Sequence, residues 1–338
     1  MPTIKELRLY QSLPLQLKIA KTQLRILEFV KEFGVDGTYV SFSGGKDSTV
    51  LLHLVREIFP EVKAVFIDTG LEYPEVRQFA ESFENVTILR PKMSFAKIIQ
   101  TYGYPMISKE VARRLYYAKK AIAEGREEKH SDYRKLCGLA IDKNGVKSQF
   151  NCEKWNPLLN VPISFSSECC TIMKKNPARR YEKLKDKVHI LATMACESRL
   201  RTEKWLIHGC NAFDAKRAFS QPLSFWTEQD ILNYIKKNNL KIANIYGDIV
   251  TKTCDEDLCT TGCDRTGCVF CGFGLHLERG ENRFQRLKRT HKKLYEYCLY
   301  GGSYDSEGLW RPDKNGLGMK HVFDSLNEIY GENFIRYE

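Results

Sequence analysis

The chain of 338 residues lacks any apolar run approaching the roughly 20 residues that a membrane-spanning helix needs. Its first residues mix charges among apolar positions and contain no signal-peptide core. Internal repeats and low-complexity segments are also missing. With 43% hydrophobic and 28% charged residues, the composition is that of an ordinary globular protein. We therefore expect a cytoplasmic protein that does not act at a membrane.

The charge balance is strongly basic, with a formal net charge of +11. Lysine and arginine concentrate in three segments, at residues 109–120, 174–187 and 283–293. A solvated basic surface would explain this clustering, and so would a partner rich in phosphate or sulfate, such as a nucleotide or a nucleic acid. Charge alone does not separate these two explanations.

Cysteine is abundant, with twelve in the chain and five of them between residues 254 and 271. Disulfides do not persist in a reducing compartment, so a cluster of thiols there indicates metal or redox chemistry. Cys169 and Cys170 are neighbours, and a disulfide between neighbours would close almost no loop. Iron–sulfur clusters need about four converging thiolates. A zinc site and unrelated buried thiols are the alternatives.

Strand and helix patterns alternate along the first third of the chain and again near residue 190. This alternation predicts an α/β fold, with a parallel sheet that carries helices on both faces. The predicted helix at 225–238 opens on a capping-box pattern, Thr227 with Asp230. The other predicted elements are helices within 4–33, at 47–59 and at 73–83, and strands at 37–42, 62–68, 85–90 and 186–195.

Composition shifts along the chain predict four parts. The N-terminal helical segment is 1–34, and the α/β nucleotide-binding domain is 35–250 with a polar, turn-rich insertion at about 125–165. A Cys-rich, cluster-binding loop follows at 251–275. The chain closes with a helical appendage at 276–338.

The strongest local signal is "SGGKDS", residues 43–48, between a predicted strand and a predicted helix. Glycines here allow successive backbone N–H groups to turn toward one anion, and the helix adds its positive N-terminal end. Ser43 and Ser48 offer hydroxyl groups, and Lys46 offers a full charge. The spacing differs from that of a Walker loop. Asp47 is a Mg²⁺ ligand, a loop anchor or the helix N-cap.

This loop resembles the PP-loop of the adenine-nucleotide α-hydrolase superfamily. "FIDTGLEYPEV", "ATMACESRLR" and "SQPLSFWTEQDILNYI" are similar to segments of the phosphoadenosine phosphosulfate reductase family, and the resemblance covers about residues 35–275. It implies a Rossmann-like sheet and an adenine nucleotide, ATP or a sulfonucleotide, with Lys46 and Asp47 in catalytic roles. The nucleotide-binding residues it implies are Ser43, Gly44, Gly45, Lys46, Asp47, Ser48, Asp68, Thr69, Gly70, Glu197, Ser198, Arg199 and Arg201.

The cysteine pair and the later "CVFC" resemble the [4Fe–4S] signature of adenylylsulfate reductases. The resemblance implies that Lys174 or Lys175 lies beside the cluster and faces the anionic end of the substrate. Zinc held by the same four residues is the alternative. The implied cluster ligands are Cys169, Cys170, Cys268 and Cys271. The nearby cysteines that the cluster does not use are Cys254, Cys259 and Cys263. Of these, Cys263 is a candidate for sulfur-handling catalysis. Cys196 is expected in the core.

Reductases of this family that release sulfite use a cysteine in a C-terminal E-C-G-[LI]-H segment. No such segment is present, since Cys298 lies in "YEYCLY". The resemblance therefore implies, first, ATP- and Mg²⁺-dependent adenylylation with sulfur transfer to an acceptor such as DNA or tRNA. A sulfonucleotide reductase that takes its nucleophile from elsewhere and a nucleotide-binding protein without turnover are the alternatives. Further candidate partners are a sulfur-donor or redox protein and a second copy of the chain.

Overall fold

The computed structural model describes residues 2–253 and 256–338. Its helices are α1 (Ile4–Ser12), α2 (Leu15–Phe33), α3 (Lys46–Ile58), α4 (Pro74–Glu81), α5 (Phe95–Tyr102), α6 (Lys109–Ala123), α7 (Ser131–Leu136), α8 (Glu168–Cys170), α9 (Asn176–Lys185), α10 (Arg199–His208), α11 (Glu228–Lys237), α12 (Arg283–Thr290), α13 (Lys292–Leu299) and α14 (Met319–Tyr330). Its strands are β1 (Thr38–Phe42), β2 (Lys63–Ile67), β3 (Val86–Leu89), β4 (Met106–Ile107), β5 (Val188–Ile190), β6 (Asn211–Ala212), β7 (Phe219–Ser220), β8 (Ile249–Thr251), β9 (Leu258–Thr260), β10 (Gly272–Phe273), β11 (Ser303–Tyr304) and β12 (Trp310–Arg311).

The chain forms two compact units, each built from separate stretches of sequence. The unit that we call the sheet unit comprises Met1–Asp68, Glu72–Arg90 and Asn176–Thr266. The unit that we call the thiol unit comprises Thr69–Leu71, Pro91–Lys175 and Gly267–Glu338. The four-part division expected from the sequence stays a prediction.

The main sheet of the sheet unit has the strand order β3-β2-β1-β5-β7-β6. Every neighbouring pair is parallel except β6 with β7. The chain runs outward from β1 through β2 to β3 and returns on the other side of β1 as β5. With right-handed crossovers, this reversal puts the connecting helices on opposite faces. The predicted α/β fold is confirmed, and its reversal point lies between β1 and β5, where such sheets bind ligands at the carboxyl ends of their strands.

The core of the sheet unit is formed by alternating strand residues and by one face of each covering helix. Val40 and Phe42 of β1 are almost fully buried, as are Ile26 and Phe29 of α2. Trp226, fully buried, donates its indole N–H to Thr22 Oγ1 at 2.8 Å. The strand and the helices thus share one apolar core, which fixes the place where β1 ends and the loop after it begins.

The predicted capping box at the start of α11 is present. Thr227 Oγ1 accepts the Asp230 backbone N–H, and Asp230 Oδ2 accepts the Thr227 backbone N–H at 2.7 Å. The same carboxylate pairs at 2.6 Å with Lys18 Nζ from α2, and the Lys18 side chain is only 3% exposed. One acidic residue therefore caps α11 and joins it to α2.

The thiol unit is mainly helical. Short strand pairs, β4 with β10 and β11 with β12, supplement its helices. Phe284 of α12 and Phe323 of α14 are fully buried and contact each other edge to face, with ring centroids 5.0 Å apart. The turn-rich insertion predicted at about 125–165 contains a turn at "KNGV", residues 143–146, which is flanked by a bridge between Ile141 and Lys147. The C-terminal part is helical as predicted, with the β11–β12 pair inserted between α13 and α14.

The predicted strand at 186–195 is wrong in its extent. β5 ends at Ile190, and a 3₁₀ turn occupies Ala195–Glu197. The Glu197 carboxylate accepts the Met194 backbone N–H at 3.0 Å, so this segment bends into a turn at the end of the strand. Within residues 2–253 and 256–338, no helix combines the length and the apolar character that crossing a membrane requires.

Candidate functional site

The predicted phosphate loop directly joins β1 to α3. Gly44 has φ +71°, and a Cβ atom built there would lie 2.8 Å from the Val76 carbonyl oxygen and 2.9 Å from Val76 Cγ1. Glycine is therefore required both by the left-handed backbone and by the close approach of α4. Gly45 is the N-cap of α3, so the helix begins within the loop and points its N-terminal end there.

The two serines close the loop on itself. Ser43 Oγ and Ser48 Oγ lie 3.0 Å apart, and the Ser43 backbone N–H donates to Ser48 Oγ at 3.2 Å. Ser48 Oγ also donates to the Gly45 carbonyl at 2.9 Å. These contacts hold the backbone of the loop in its turn.

Lys46 is buried, with 3% of its surface exposed. Its ammonium group lies 2.9 Å from Glu228 Oε1 and donates to the Asp264 carbonyl. Its backbone N–H donates to Tyr246 Oη at 3.3 Å, and that hydroxyl lies 2.7 Å from Thr266 Oγ1. Burial raises the pKa of Tyr246 to about 12, so the phenol stays protonated at neutral pH.

Asp47 does not cap α3, which corrects one of the roles expected from sequence, since Gly45 occupies the cap position. The Asp47 side chain is half-buried, and its Oδ1 atom is shielded from solvent without a hydrogen-bond partner among the described residues. Burial raises the pKa of this carboxyl group, while the nearby charges of Lys46 and Arg265 lower it. An orphan carboxylate oxygen is a suitable ligand for Mg²⁺.

A second charged group follows β5, on the adjacent strand. Glu197 pairs with Arg201 and with Arg265, whose Nη2 donates to Glu197 Oε1 at 2.9 Å. Ser198 is the N-cap of α10. Arg199 is highly exposed and pairs instead with Glu203 of its own helix. Of the two arginines expected near the ligand, Arg201 is thus the one in the charged group.

The expected adenosine-contacting segment is divided between the units. Asp68 belongs to the sheet unit and is 5% exposed. Its Oδ2 lies 3.2 Å from Arg77 Nη2 and 3.2 Å from Arg90 Nε, so its carboxylate has a structural role in the sheet unit. Thr69 and Gly70 belong to the thiol unit. Contact of this segment with adenosine stays a prediction.

The four predicted cluster ligands come together within the thiol unit. Cys169 and Cys170 lie on α8, and Cys268 and Cys271 lie just before β10. All four line one pocket, whose other lining residues are Leu71, Phe95, Pro105, Met173 and Lys174. The two pairs are far apart in sequence, and the resemblance to the adenylylsulfate reductase signature implied that they come together. Lys174 is at the pocket, as the family resemblance implied.

The electrostatics of this pocket favour a thiolate on Cys170. The Cys169 thiol, 4.0 Å away, donates to it, and Lys109, Lys174 and Lys175 add positive charge, so its pKa falls to about 6 although burial opposes this. The same contact, together with burial, raises the pKa of Cys169. Burial also raises the pKa of Cys271.

The donor set, four thiols against apolar walls, fits an iron–sulfur cluster. Throughout the described ranges, no group of three or more His, Cys, Asp or Glu side chains is arranged to hold a metal ion. The choice between a cluster and a zinc ion on the same four residues stays a prediction.

The remaining cysteines differ in exposure. Cys263 is fully buried, so its thiol is shielded from solvent, and its catalytic role stays a prediction. Cys259 is half-buried on β9, and Cys254 lies outside the described residues. Cys196 is exposed, so the expectation of a core position is wrong. It lies in the turn after β5, beside Glu197.

Tyr246, Glu228 and Arg265 contribute to the site and were missed by sequence reasoning. Tyr246 is 200 residues from Lys46, and no local pattern marks such a contact. Glu228 sits next to the Thr227 cap, and the capping box was the only signal near it. Arg265 lies within the Cys-rich loop, which sequence reasoning interpreted only in terms of metal binding and sulfur chemistry.

A loop at the carboxyl end of β1, at the point where the sheet reverses, is the arrangement of nucleotide-binding α/β proteins. The chain matches the model of the phosphoadenosine phosphosulfate reductase domain over residues 37–126 and 120–272, more than half its length. The chain therefore belongs to the phosphoadenosine phosphosulfate reductase domain family. The predicted family is confirmed.

Individual relatives are distant. The chain is 23% identical to an uncharacterized protein of Methanocaldococcus jannaschii over 87% of this chain and 57% of that protein. It is 26% identical to sulfate adenylyltransferase subunit 2 of Shewanella loihica over 68% of this chain and 66% of that protein. It thus spans less than two thirds of either relative. A solved phosphate complex of phosphoadenylyl-sulfate reductase from Candida auris is 14% identical, with a TM-score of 0.36, over 72% of this chain and 91% of that chain.

Proposed function

We propose that the protein is a PP-loop enzyme that activates an acceptor with ATP and replaces the activated oxygen with sulfur. The observation that carries the proposal is the loop from Ser43 to Ser48, which combines a required glycine, a helix N-terminus and a buried lysine. Such a site binds the phosphates of a nucleotide.

The residues of the loop suggest specific roles. An acceptor oxygen would attack the α-phosphorus of ATP, and pyrophosphate would leave. Lys46 and the backbone N–H groups of the loop would neutralise the charge that develops on the leaving pyrophosphate. The orphan oxygen of Asp47 would ligate Mg²⁺ bound to the same phosphates. A sulfur nucleophile would then displace AMP from the acceptor.

The second element of the proposal is a [4Fe–4S] cluster in the thiol unit. Cys169, Cys170, Cys268 and Cys271 would hold it, and Lys174 would lie beside it. When bound, a cluster would supply electron transfer or an iron site for sulfur. The lowered pKa of Cys170 favours the thiolate form that metal binding requires.

The metal test is iron and zinc analysis after anaerobic purification, with a visible spectrum. About four irons per chain and broad absorbance near about 400 nm are expected, both lost in Cys169→Ser/Cys170→Ser and retained in the control Cys259→Ser. Stoichiometric zinc without iron would overturn the cluster and leave the nucleotide site untouched.

The basic net charge supports a nucleic-acid acceptor, DNA or tRNA. A sulfur-donor or redox protein would supply the sulfur or the electrons. The relative from Shewanella loihica is named as a subunit, which supports a search for a partner chain and for self-association. Copurification and the mass of the native assembly would address both.

The reaction test compares two sets of products. Protein prepared anaerobically is incubated with ATP, Mg²⁺, sulfide and either bulk tRNA or duplex DNA, or separately with a sulfonucleotide and dithiothreitol. AMP and pyrophosphate from the first mixture are expected, and they should disappear in Lys46→Met but not in the control Lys31→Met, an exposed lysine on α2.

Sulfite from the second mixture would replace the proposal with a sulfonucleotide reductase, the function that the paired cysteines favour as a second candidate. Tight nucleotide binding with neither product would indicate a binding protein without turnover. Each outcome selects one of the three functions.

A further inference from the structure

The third basic segment of the sequence lies on two consecutive helices of the thiol unit, α12 and α13. Residues 286–296 carry five lysines or arginines and one carboxylate. Glu281 pairs with Arg289 at 2.9 Å. Glu296 lies 3.8 Å from Lys292, whose side chain is 80% exposed. Positive charge therefore remains in excess where α12 meets α13.

Two further lysines at this junction carry the excess charge. Lys288 and Lys293 are exposed, and among the described residues no salt bridge joins either of them to a carboxylate. Lys293 also lies beside Lys292 in the first turn of α13, where the helix dipole is already positive. Phosphate groups bound at the junction would offset this repulsion between like charges.

The exposed side of α13 continues from these lysines as a stripe of aromatic residues. Lys293, Tyr297 and Tyr300 are spaced by four and then three residues, so they follow one face of the helix. The Tyr300 backbone N–H donates to the Glu296 carbonyl at 2.9 Å, which keeps Tyr300 in register with the last turn. Tyr297 and Tyr300 are 44% and 53% exposed, whereas Cys298 on the other side of the helix is fully buried.

The Tyr297 ring is supported from below. Its centroid lies 6.1 Å from that of Phe270, which is buried. One part of the ring is thus packed, while nearly half of the residue faces solvent. Exposed aromatic rings next to a basic surface are the elements with which proteins bind single-stranded nucleic acids, because bases stack on the rings and phosphates contact the cations.

We propose that this surface binds unpaired nucleotides of a tRNA acceptor. We call it the tyrosine–lysine face, and its residues are Lys288, Lys292, Lys293, Tyr297 and Tyr300. The inference rests on the proposed function, in which the acceptor is DNA or tRNA, and it selects between the two. Bases in duplex DNA are stacked on one another and cannot stack on a tyrosine, whereas the loops and ends of an RNA leave bases unpaired.

The test measures binding by fluorescence anisotropy, with the full-length protein and without ATP. The probes are a labelled oligouridylate of about 16 nucleotides, long enough for a single-strand site, and a duplex DNA of the same length. Tyr297→Ala/Tyr300→Ala should weaken binding of the oligouridylate by about 10- to 100-fold and change duplex binding less than about twofold. Equal effects on the two probes, or no effect on the oligouridylate, would overturn the proposal.

A conservative variant separates stacking from a disturbance of the fold. Tyr297→Phe/Tyr300→Phe keeps both rings and removes only the hydroxyl groups. It should bind the oligouridylate like the wild type, because stacking depends on the ring. A loss as large as that of the alanine variant would contradict stacking as the mode of binding.

The lysines give an independent readout through the salt dependence of binding. Each phosphate contact on a single strand contributes about 0.7 to the slope of log affinity against log salt concentration. Lys288→Gln/Lys293→Gln should therefore reduce that slope for the oligouridylate by about 1.4. Lys143→Gln, at an exposed lysine of the same unit, is the control and should leave the slope unchanged. An unchanged slope in the double variant would show that these lysines contact no phosphate, contrary to the proposal.

The outcome is distinguishable from that of the ATP reaction. If AMP and pyrophosphate form but the tyrosine variant binds the oligouridylate like the wild type, the tyrosine–lysine face is refuted and the proposed function stands. If the variants weaken binding as expected but AMP and pyrophosphate do not form, the face stands and the proposed function is refuted.

Discussion

Glu182 is the centre of a buried polar network in the sheet unit, and its titration makes a quantitative prediction. Tyr39 Oη of β1 donates to Glu182 Oε1 at 2.7 Å, and His189 Nδ1 of β5 lies 2.8 Å from the same oxygen. Arg217 adds a bidentate pair. The carboxylate lies on α9 and is 8% exposed. The network therefore joins α9 to the two central strands.

Burial raises the pKa of Glu182, but the hydrogen bonds from His189, Arg217 and Tyr39 outweigh it and lower the pKa from 4.5 to about 2. A carboxyl group with a lowered pKa in the folded state stabilises the fold above its unfolded pKa. That contribution is lost as the pH falls from 4.5 through 2. At 1.36 kcal/mol per pKa unit, the ionised Glu182 carboxylate stabilises the fold by at most about 3 kcal/mol at neutral pH and by about 1.5 kcal/mol near pH 3.

The assay is urea unfolding followed by circular dichroism at about pH 7 and about pH 3. The difference in unfolding free energy between the wild type and Glu182→Gln should shrink by about 2 kcal/mol at the lower pH. The control is Glu61→Gln, a change at an exposed residue of the same unit. Its unfolding free energy should differ from that of the wild type by nearly zero at both pH values. A difference for Glu182→Gln that does not depend on pH would refute the reasoning, because the network would then contribute through packing alone.

Two further changes in the sheet unit test its packing. Gly44→Ala should lower the unfolding free energy by about 1–3 kcal/mol more than Gly34→Ala does. Both positions have positive φ, +71° and +75°, but only at Gly44 would the new Cβ meet Val76. Equal losses of unfolding free energy in urea would contradict this. Lys18→Met should cost about 3–5 kcal/mol, because it leaves the Asp230 carboxylate, only 12% exposed, without its charged partner. A thermal unfolding midpoint unchanged from the wild type would show that water replaces the lysine.

The parts of the fold that follow from short-range patterns were predictable. The β1–loop–α3 unit has an apolar strand, two glycines and an amphipathic helix in direct succession, so each local preference agrees with the others. The cap at Thr227 is equally local. The proximity of the two cysteine pairs was implied by the resemblance to the adenylylsulfate reductase signature, since no local pattern links segments so far apart in sequence.

Other features depend on contacts that no local pattern encodes. β6 and β7 have two residues each, too short for any periodicity to appear. The hydroxyl of Tyr246 reaches Lys46 across 200 residues, and its position depends on the packing of the whole unit. The orphan oxygen of Asp47 is likewise a product of burial, which sequence spacing does not report.

The most direct test of the phosphate loop is isothermal titration calorimetry of pyrophosphate and ATP, with Mg²⁺, into the wild type and Lys46→Met. Removing a charged hydrogen-bond donor costs about 1.5–3 kcal/mol, so both ligands should bind about 10- to 100-fold more weakly to the variant. Lys31→Met should bind both ligands like the wild type. Unchanged affinity in a folded Lys46→Met protein would contradict the assignment of residues 43–48 as the nucleotide-binding loop.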